Sequence, residues 1–398
     1  MRIGLHVIAL IFIVYSAKAQ KQDQAQPDTS FKPSGKLWGY AFADYYYKAH
    51  ADSLNRGGAN QYTNVQQGSN AFQIRRIYLG YNYDIHPKFS AEFLLAAEDN
   101  SVTRTLQPTG DLLTDNKLSV YIKLANLRWK NIWKGTDLVV GQMATPAYTL
   151  LAEPIWGYRS IERTITDIRR VPSFDLGAAL QGKFDPAKGN YGYDVMVSNG
   201  TGARPENDKF KWLSGDVYAK FFDKKLVLQL YADYQRMNWV EGFHHSRSIL
   251  KGFAAYVTPG ITAGVEAFYS RGREDVVGVH GTVSDTISAN SRGLSLFVRG
   301  DLIKNKLLFF ARTDFFNPDV NYNEQAYDNY KALSSTFEPN NKETFCTAGV
   351  DFMPAKNVHF MPNIWYNRYS SERHDVTGVQ KHDYDLVYRI TFYYIYGK

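Results

Sequence analysis

Four arginines crowd one short segment, Arg159, Arg163, Arg169 and Arg170, with the acids Glu162 and Asp167 between them. Such a cluster concentrates a positive field, and at a narrow passage between low-dielectric walls that field favours anions. Just upstream stand Leu150, Leu151, Ile155 and Trp156, for which a purely solvated segment has no use. Ile161, Ile165 and Ile168 then recur at helical spacing. The charge is carried by a compact piece of chain that packs against something.

Other groupings carry less chemistry. Glu241 with His244-His245 supplies acid, base and metal-ligand types, but adjacent histidines in a strand or loop do not converge on one ion. No nucleophile turn introduces a Ser, His and Asp set, and nothing suggests nucleotide or nucleic-acid chemistry. Arg271-Gly272-Arg273 opens a long polar stretch and reads as its solvated base. The single cysteine, Cys346, excludes an intrachain disulfide. No enzyme activity, metal or cofactor is expected.

The elements that must position the arginine segment are about sixteen runs of strand character between Leu37 and Tyr396, each about ten residues long. That is the length a tilted strand needs to cross a bilayer. Their links alternate between short and long. The short ones are 84–87, 131–135, 185–189, 223–224, 258–260, 303–305 and 354–356. The long ones are 48–69, 98–118, 144–174, 199–213, 237–248, 271–291, 316–343 and 368–383. A soluble sandwich has no reason to gather every long loop on one side, whereas an outer-membrane barrel does.

Period-two alternation tests each run. Leu386, Tyr388, Ile390, Phe392, Tyr394 and Tyr396 share one face, with Asp385, Arg389 and Thr391 on the other. Leu226, Leu228, Leu230, Ala232 and Tyr234 alternate with Gln229, Asp233 and Gln235. A helix would scatter these charges around every face. The runs 37–47 and 119–130 can be phased either way, with Ala125, Leu127 and Trp129 outward preferred in the second. Pro362 sits inside a run and predicts a bulge or a shortened strand, because a paired strand loses a donor there. On this phasing the water face carries Arg76, Arg128, Lys183, Lys220, Arg299, Arg312 and Arg389. At least as many acids accompany them, Glu92, Asp194, Asp216 and Asp351 included, so the wall as a whole is balanced and selectivity is left to the narrowest point.

Residues 1–19 read as a signal peptide: Arg2, an apolar run from Leu5 to Tyr15, then Ala17-Lys18-Ala19 before Gln20. Residues 20–35, rich in Gln, Asp, Pro and Lys, form a flexible periplasmic lead-in. The barrel then occupies 36–398. Aromatics make up 15% of the chain, which suits the two interfacial girdles. The formal charge of +7 falls to +5 without Arg2 and Lys18, a mild lean toward anions.

The strand Phe72-Gln73-Ile74-Arg75-Arg76-Ile77-Tyr78-Leu79-Gly80-Tyr81 resembles the "F-x-I-R-R-x-x-L-G" strand of the phosphate-selective porin O and P family. Gly141-Gln142, Pro146 and Glu162-Arg163 are similar to its third-loop region. Val197-Ser198-Asn199-Gly200-Thr201-Gly202 resembles its "N-G-x-G" stretch, and Gly349 to Pro354 with Asn357-Val358 its late hairpin. The resemblance implies a sixteen-stranded, usually trimeric outer-membrane channel with an in-folded third loop. A full arginine ladder is not traceable, and the chain ends Tyr396-Gly397-Lys398 instead of on an aromatic; phosphate selectivity is what these departures touch.

The expected architecture is therefore all-β: a transmembrane antiparallel β-barrel whose third long loop folds into the lumen. A surface loop capping the barrel or meeting a neighbouring subunit is the alternative for 144–174. The expected function is passive diffusion of small hydrophilic solutes through the outer membrane of a Gram-negative bacterium, mildly anion-favouring, with phosphate or similar anions among them. Its partners would be outer-membrane lipid and two further copies. The alternative is a barrel acting in ligand binding or adhesion through its long outer loops.

Overall fold

The computed structural model describes residues 31–58, 60–98, 120–169, 171–206, 208–237, 245–280, 283–328, 330–333 and 338–397. The leader at 1–19, most of the lead-in, and Arg170, Glu241 and His244 lie outside the described residues.

Among the described residues, seventeen strands make one sheet. They are β1 (Ser34–His50), β2 (Asn70–His86), β3 (Phe89–Glu98), β4 (Val120–Trp133), β5 (Thr136–Ala144), β6 (Phe174–Lys183), β7 (Tyr191–Ser198), β8 (Trp212–Phe221) and β9 (Leu226–Met237). Then follow β10 (His245–Val257), β11 (Ile261–His280), β12 (Val283–Ile303), β13 (Leu307–Asn317), β14 (Tyr330–Leu333), β15 (Asn341–Ala355), β16 (Val358–Ser371) and β17 (His382–Tyr396). Neighbours in sequence pair antiparallel, β13 passes directly to β15, and β17 returns to β1 from Gly39↔Tyr396 to His50↔Leu386. Sixteen strands thus close a barrel. The short β14 stands outside the ring, paired with the far end of β11 at Gly278↔Leu333 and His280↔Tyr330. No described helix is long and apolar enough to cross a membrane, which says nothing of a β-barrel.

The alternation read from the sequence is the alternation of the wall. On β9, Leu228, Leu230 and Tyr234 are exposed while Gln229 and Tyr231 are buried. On β17, Tyr388, Ile390 and Tyr394 face out; Asp385, Arg389 and Thr391 are buried inward. Short turns are made by residues that tolerate the left-handed region, such as Asn305 (φ 58) and Asn357 (φ 67). With every edge paired, an unboiled sample should run faster on a denaturing gel than a boiled one. Identical mobility would refute closure.

Four local readings are settled or changed by the ladder. The ambiguous run at 37–47 places Phe42, Asp44, Tyr46 and Lys48 on the buried face. The run at 119–130 fits either phase because it uses both: Leu94↔Leu124 is followed by Leu95↔Ile122, so Lys123 is the extra residue of a bulge. Ala125, Leu127 and Trp129 face outward as preferred. Pro362 makes neither a bulge nor a short strand. The register to β15 is the same on both sides of it, Gly349↔Asn363 and Phe352↔Phe360, and only the intervening pairs are missing, while Pro362↔Ile390 is kept toward β17. The missing donor is therefore spent on one edge. The supposed long loop 271–291 is instead largely strand, since β11 and β12 stay paired out to His280↔Val283 after a shift between Gly272 and Val276.

Candidate functional site

Residues 145–173, between β5 and β6, carry two five-residue helices, α1 (Ala152–Trp156) and α2 (Ile165–Arg169). The helical spacing of the isoleucines holds for α2 only; Ile161 sits in a turn closed by its N–H onto the Tyr158 carbonyl. The apolar side chains anchor the segment as their types required. Tyr148, Trp156, Ile161 and Ile165 are fully or almost fully buried, packed in one cluster with Tyr231, Phe253, Phe297 and Phe310 of the wall.

Backbone polar groups of so irregular a segment need partners once water is removed, and the wall supplies them. Arg299 of β12 donates to the Ile155 carbonyl at 2.9 Å, Arg75 of β2 to that of Ser160 at 2.8 Å, Arg389 of β17 to that of Ile161 at 2.6 Å, and Arg312 of β13 to that of Arg163 at 2.5 Å. Gln229 of β9 reaches the Pro146 carbonyl and Lys251 of β10 that of Ala147. Side-chain contacts add Thr166 to Glu266 of β11, Tyr158 to Asp351 of β15 at 3.4 Å, and Trp365 of β16 to Glu162 at 2.9 Å. A segment tethered to β5 and β6 thus meets inward-facing side chains of nine other strands.

These contacts redefine the basic residues picked out in the sequence. Arg299, Arg312 and Arg389 each cap one carbonyl of the segment, and Arg312 also forks onto both oxygens of Asp314, a task for which five fixed N–H donors suit arginine better than lysine. Arg76 lies on the same wall beside Glu98 (3.7 Å), which also takes Lys123. Arg128 is held by Asp137 at 3.0 Å and by Gln181 at 2.6 Å. Lys183 and Lys220 also face inward but make no ion pair among the described residues.

Of the arginine cluster itself, Arg159 joins Glu153 and Asp167 (2.7 Å), and Arg169 binds Glu343 of β15 at 2.8 Å. Arg163 is the most open of the three, its side chain 27% exposed, with Glu162 and Asp167 each at 3.9 Å. Glu162 is buried beneath it. Arg170 is not among the described residues.

Two features escaped the sequence reading. Arg75 faces the same side as Arg76 because Phe42↔Arg76 is followed by Ala43↔Ile74, leaving Arg75 as a bulged residue; both are buried. The signal was present, since the apolar positions change parity between Phe72-Ile74 and Ile77-Leu79-Tyr81. The first long loop also turns inward. Its Tyr62 is 1% exposed, edge-on to Trp365 and tilted against Tyr46. Asp52 N–H and Ser53 N–H are accepted by Asp385 and Asp383 of β17, and Asn60 donates to Glu343 at 2.7 Å.

The opposite wall is less crowded. Between Leu150-Leu151 and strands β4 to β8 lies a cavity of about 470 Å³ that includes Arg128, Asp137, Lys183, Asp194, Asp216 and Lys220 in its lining.

No protein-family model matches the sequence, and no curated protein matches it. Solved structures do. The outer membrane channel DcaP of Acinetobacter baumannii is similar over 92% of this chain and 99% of its own, with a TM-score of 0.61 at 11% identity. The anion-selective porin from Comamonas acidovorans is similar over 92% and 100%, with a TM-score of 0.56 at 11% identity. OmpT of Vibrio cholerae, expressed in the outer membrane, is similar over 93% and 100%, with a TM-score of 0.55 at 11% identity. At this identity the likeness establishes the fold, an outer-membrane-type barrel.

Proposed function

We propose that this protein is an outer-membrane porin for passive diffusion of small hydrophilic solutes, exported by the leader at 1–19, with residues 145–173 laid across the lumen as its constriction. The observation that carries the reading is the row of contacts from that segment to inward side chains of nine strands. A capping or subunit-facing loop would meet strand ends or another chain. The first long loop narrows the same side, so the remaining path runs along β4 to β8. The porin and channel among the similar structures support the same reading, and assembly into trimers follows by analogy with the family resemblance. The finer assignment to the phosphate-selective porin O and P family rests on the motif beginning at Phe72 and on the third-loop landmarks.

Anion preference is expected to be moderate, because Glu153, Glu162, Asp167 and Glu343 offset the arginines. The test is reversal potential in a salt gradient across a planar bilayer. Replacing Arg159, Arg163, Arg169 and Arg170 together by glutamine should lower anion-over-cation permeability more than removing Arg271, Arg273, Lys304 and Lys306 from outside the constriction. An unchanged reversal potential and conductance would put 145–173 outside the pore. The second reading, ligand binding or adhesion, draws on the β11–β12 hairpin and β14 beyond the ring; a barrel that inserts but never conducts would favour it.

A further inference from the structure

The cavity beside β4 to β8 has a composition that neither the arginine cluster nor the wall's charge balance explains. On one side the segment presents Leu150, 44% exposed, and Leu151, half-buried. An exposed leucine next to a segment whose other large apolar side chains are packed away is free to meet a ligand. On the other side stand Lys183 of β6 and Lys220 of β8, both lining the same space. Neither ammonium has a carboxylate or hydrogen-bond partner among the described residues, whereas nearby Arg128 is engaged by Asp137 and Gln181 and Lys130 by Asp84 at 2.7 Å.

The carboxylates of the lining do not neutralise the two lysines. Asp194 and Asp216 are 2% and 6% exposed and are bound from Gln181 and Gln229. Asp137, the third carboxylate of the lining, is held by Arg128 at 3.0 Å, so none of the three is paired with Lys183 or Lys220 among the described residues. Lys220 Nζ lies 5.2 Å from the centre of the Tyr218 ring, which adds a flat aromatic face beside the cation. The surface on offer therefore combines apolar, aromatic and cationic groups, with the two ammoniums in no ion pair among the described residues.

We infer that this cavity is a binding station for small amphipathic organic anions, with Lys183 and Lys220 receiving a carboxylate and Leu150, Leu151 and Tyr218 receiving an apolar or aromatic body. The inference rests on the porin reading for its route of entry and names the solute class that reading leaves open. A strongly hydrated anion gains only the lysines' field; an aryl carboxylate gains that and the burial of its ring. Discrimination between the two is the signature of the station.

The experiment uses the full mature chain, refolded and checked for heat-modifiable mobility, with benzoate, acetate and inorganic phosphate as probes. Block of the chloride current is measured in a planar bilayer, and benzoate binding to the detergent-solubilised barrel by calorimetry. Benzoate should block at lower concentration than acetate or phosphate. Lys183→Gln with Lys220→Gln should weaken benzoate about tenfold or more, the loss of one to two charge-assisted contacts. Leu150→Ser with Leu151→Ser should weaken benzoate while leaving acetate almost unchanged. Benzoate binding that is lost in the lysine variant supports the station even if the barrel never conducts, an outcome that would sink the porin reading alone. A conducting barrel in which benzoate behaves as acetate does, or in which both variants bind it like the parent, overturns the station.

Discussion

Arg159→Ala is expected to raise single-channel conductance several-fold and to make residues 145–173 sensitive to protease. Arg159 is the cation between Glu153 and Asp167, with its side chain 13% exposed and theirs 19% and 9%. Removing it leaves two carboxylates facing each other in a poorly solvated site. Breaking a buried ionic group by deleting one partner costs about 3–5 kcal/mol, less here for the partial exposure of Glu153. The barrel wall is built from ladder hydrogen bonds that this change does not touch, so the loss should fall on the segment. Arg159→Lys gives the comparison: one guanidinium nitrogen contacts both acids, and an ammonium keeps that charge on a shorter stem without the other donors, so an intermediate conductance is expected. A variant with the parent's conductance and protease resistance would show that the bridge does not hold the segment.

Glu343→Ala should loosen two loops at once. One carboxylate oxygen of Glu343 accepts from Asn60 of the first loop at 2.7 Å, from Arg169 of the third at 2.8 Å, and from Asn367 of β16 at 2.6 Å. Hydrogen bonds to a charged group contribute about 1.5–3 kcal/mol each, so this single residue is a strong shared anchor between the loops. Both 51–69 and 145–173 should become cleavable, and channel noise should rise with conductance. Paired with Asn60→Ala and Arg169→Ala in double-mutant cycles, each coupling should exceed about 1 kcal/mol. Additive effects would mean that the loops are held independently.

The fold was legible because a barrel writes itself locally. Every other side chain meets lipid or water, so Leu228-Leu230-Tyr234 against Gln229 is readable without knowing any partner strand. The alternation of short and long links added which ends lie together. The anchored nature of 144–174 was legible for the same reason: Trp156, Ile161 and Ile165 have no use in water. The exceptions were places where one position departs from the period. Lys123 and Arg75 are bulged residues that switch the parity of their strands, and Pro362 is tolerated because only one of its two neighbours needed its N–H.

What the arginines do could not be read in this way. By type, Arg299, Arg312 and Arg389 were charges on a wet wall, and Arg159 and Arg169 were charges at a narrow point. Their actual partners include the carbonyls of Ile155, Arg163 and Ile161 and the acids Glu153, Asp167, Asp314 and Glu343, up to 228 residues away in the chain. Strand period and composition determined the barrel, its faces and the existence of a packed, apolar-anchored segment. Which cations are consumed in holding that segment, and which, like Lys183 and Lys220, make no ion pair among the described residues, was decided by the closed tertiary structure. Charge is a property of one side chain, but its availability depends on every group within a few ångströms, and barrel closure brings those groups together from all sides.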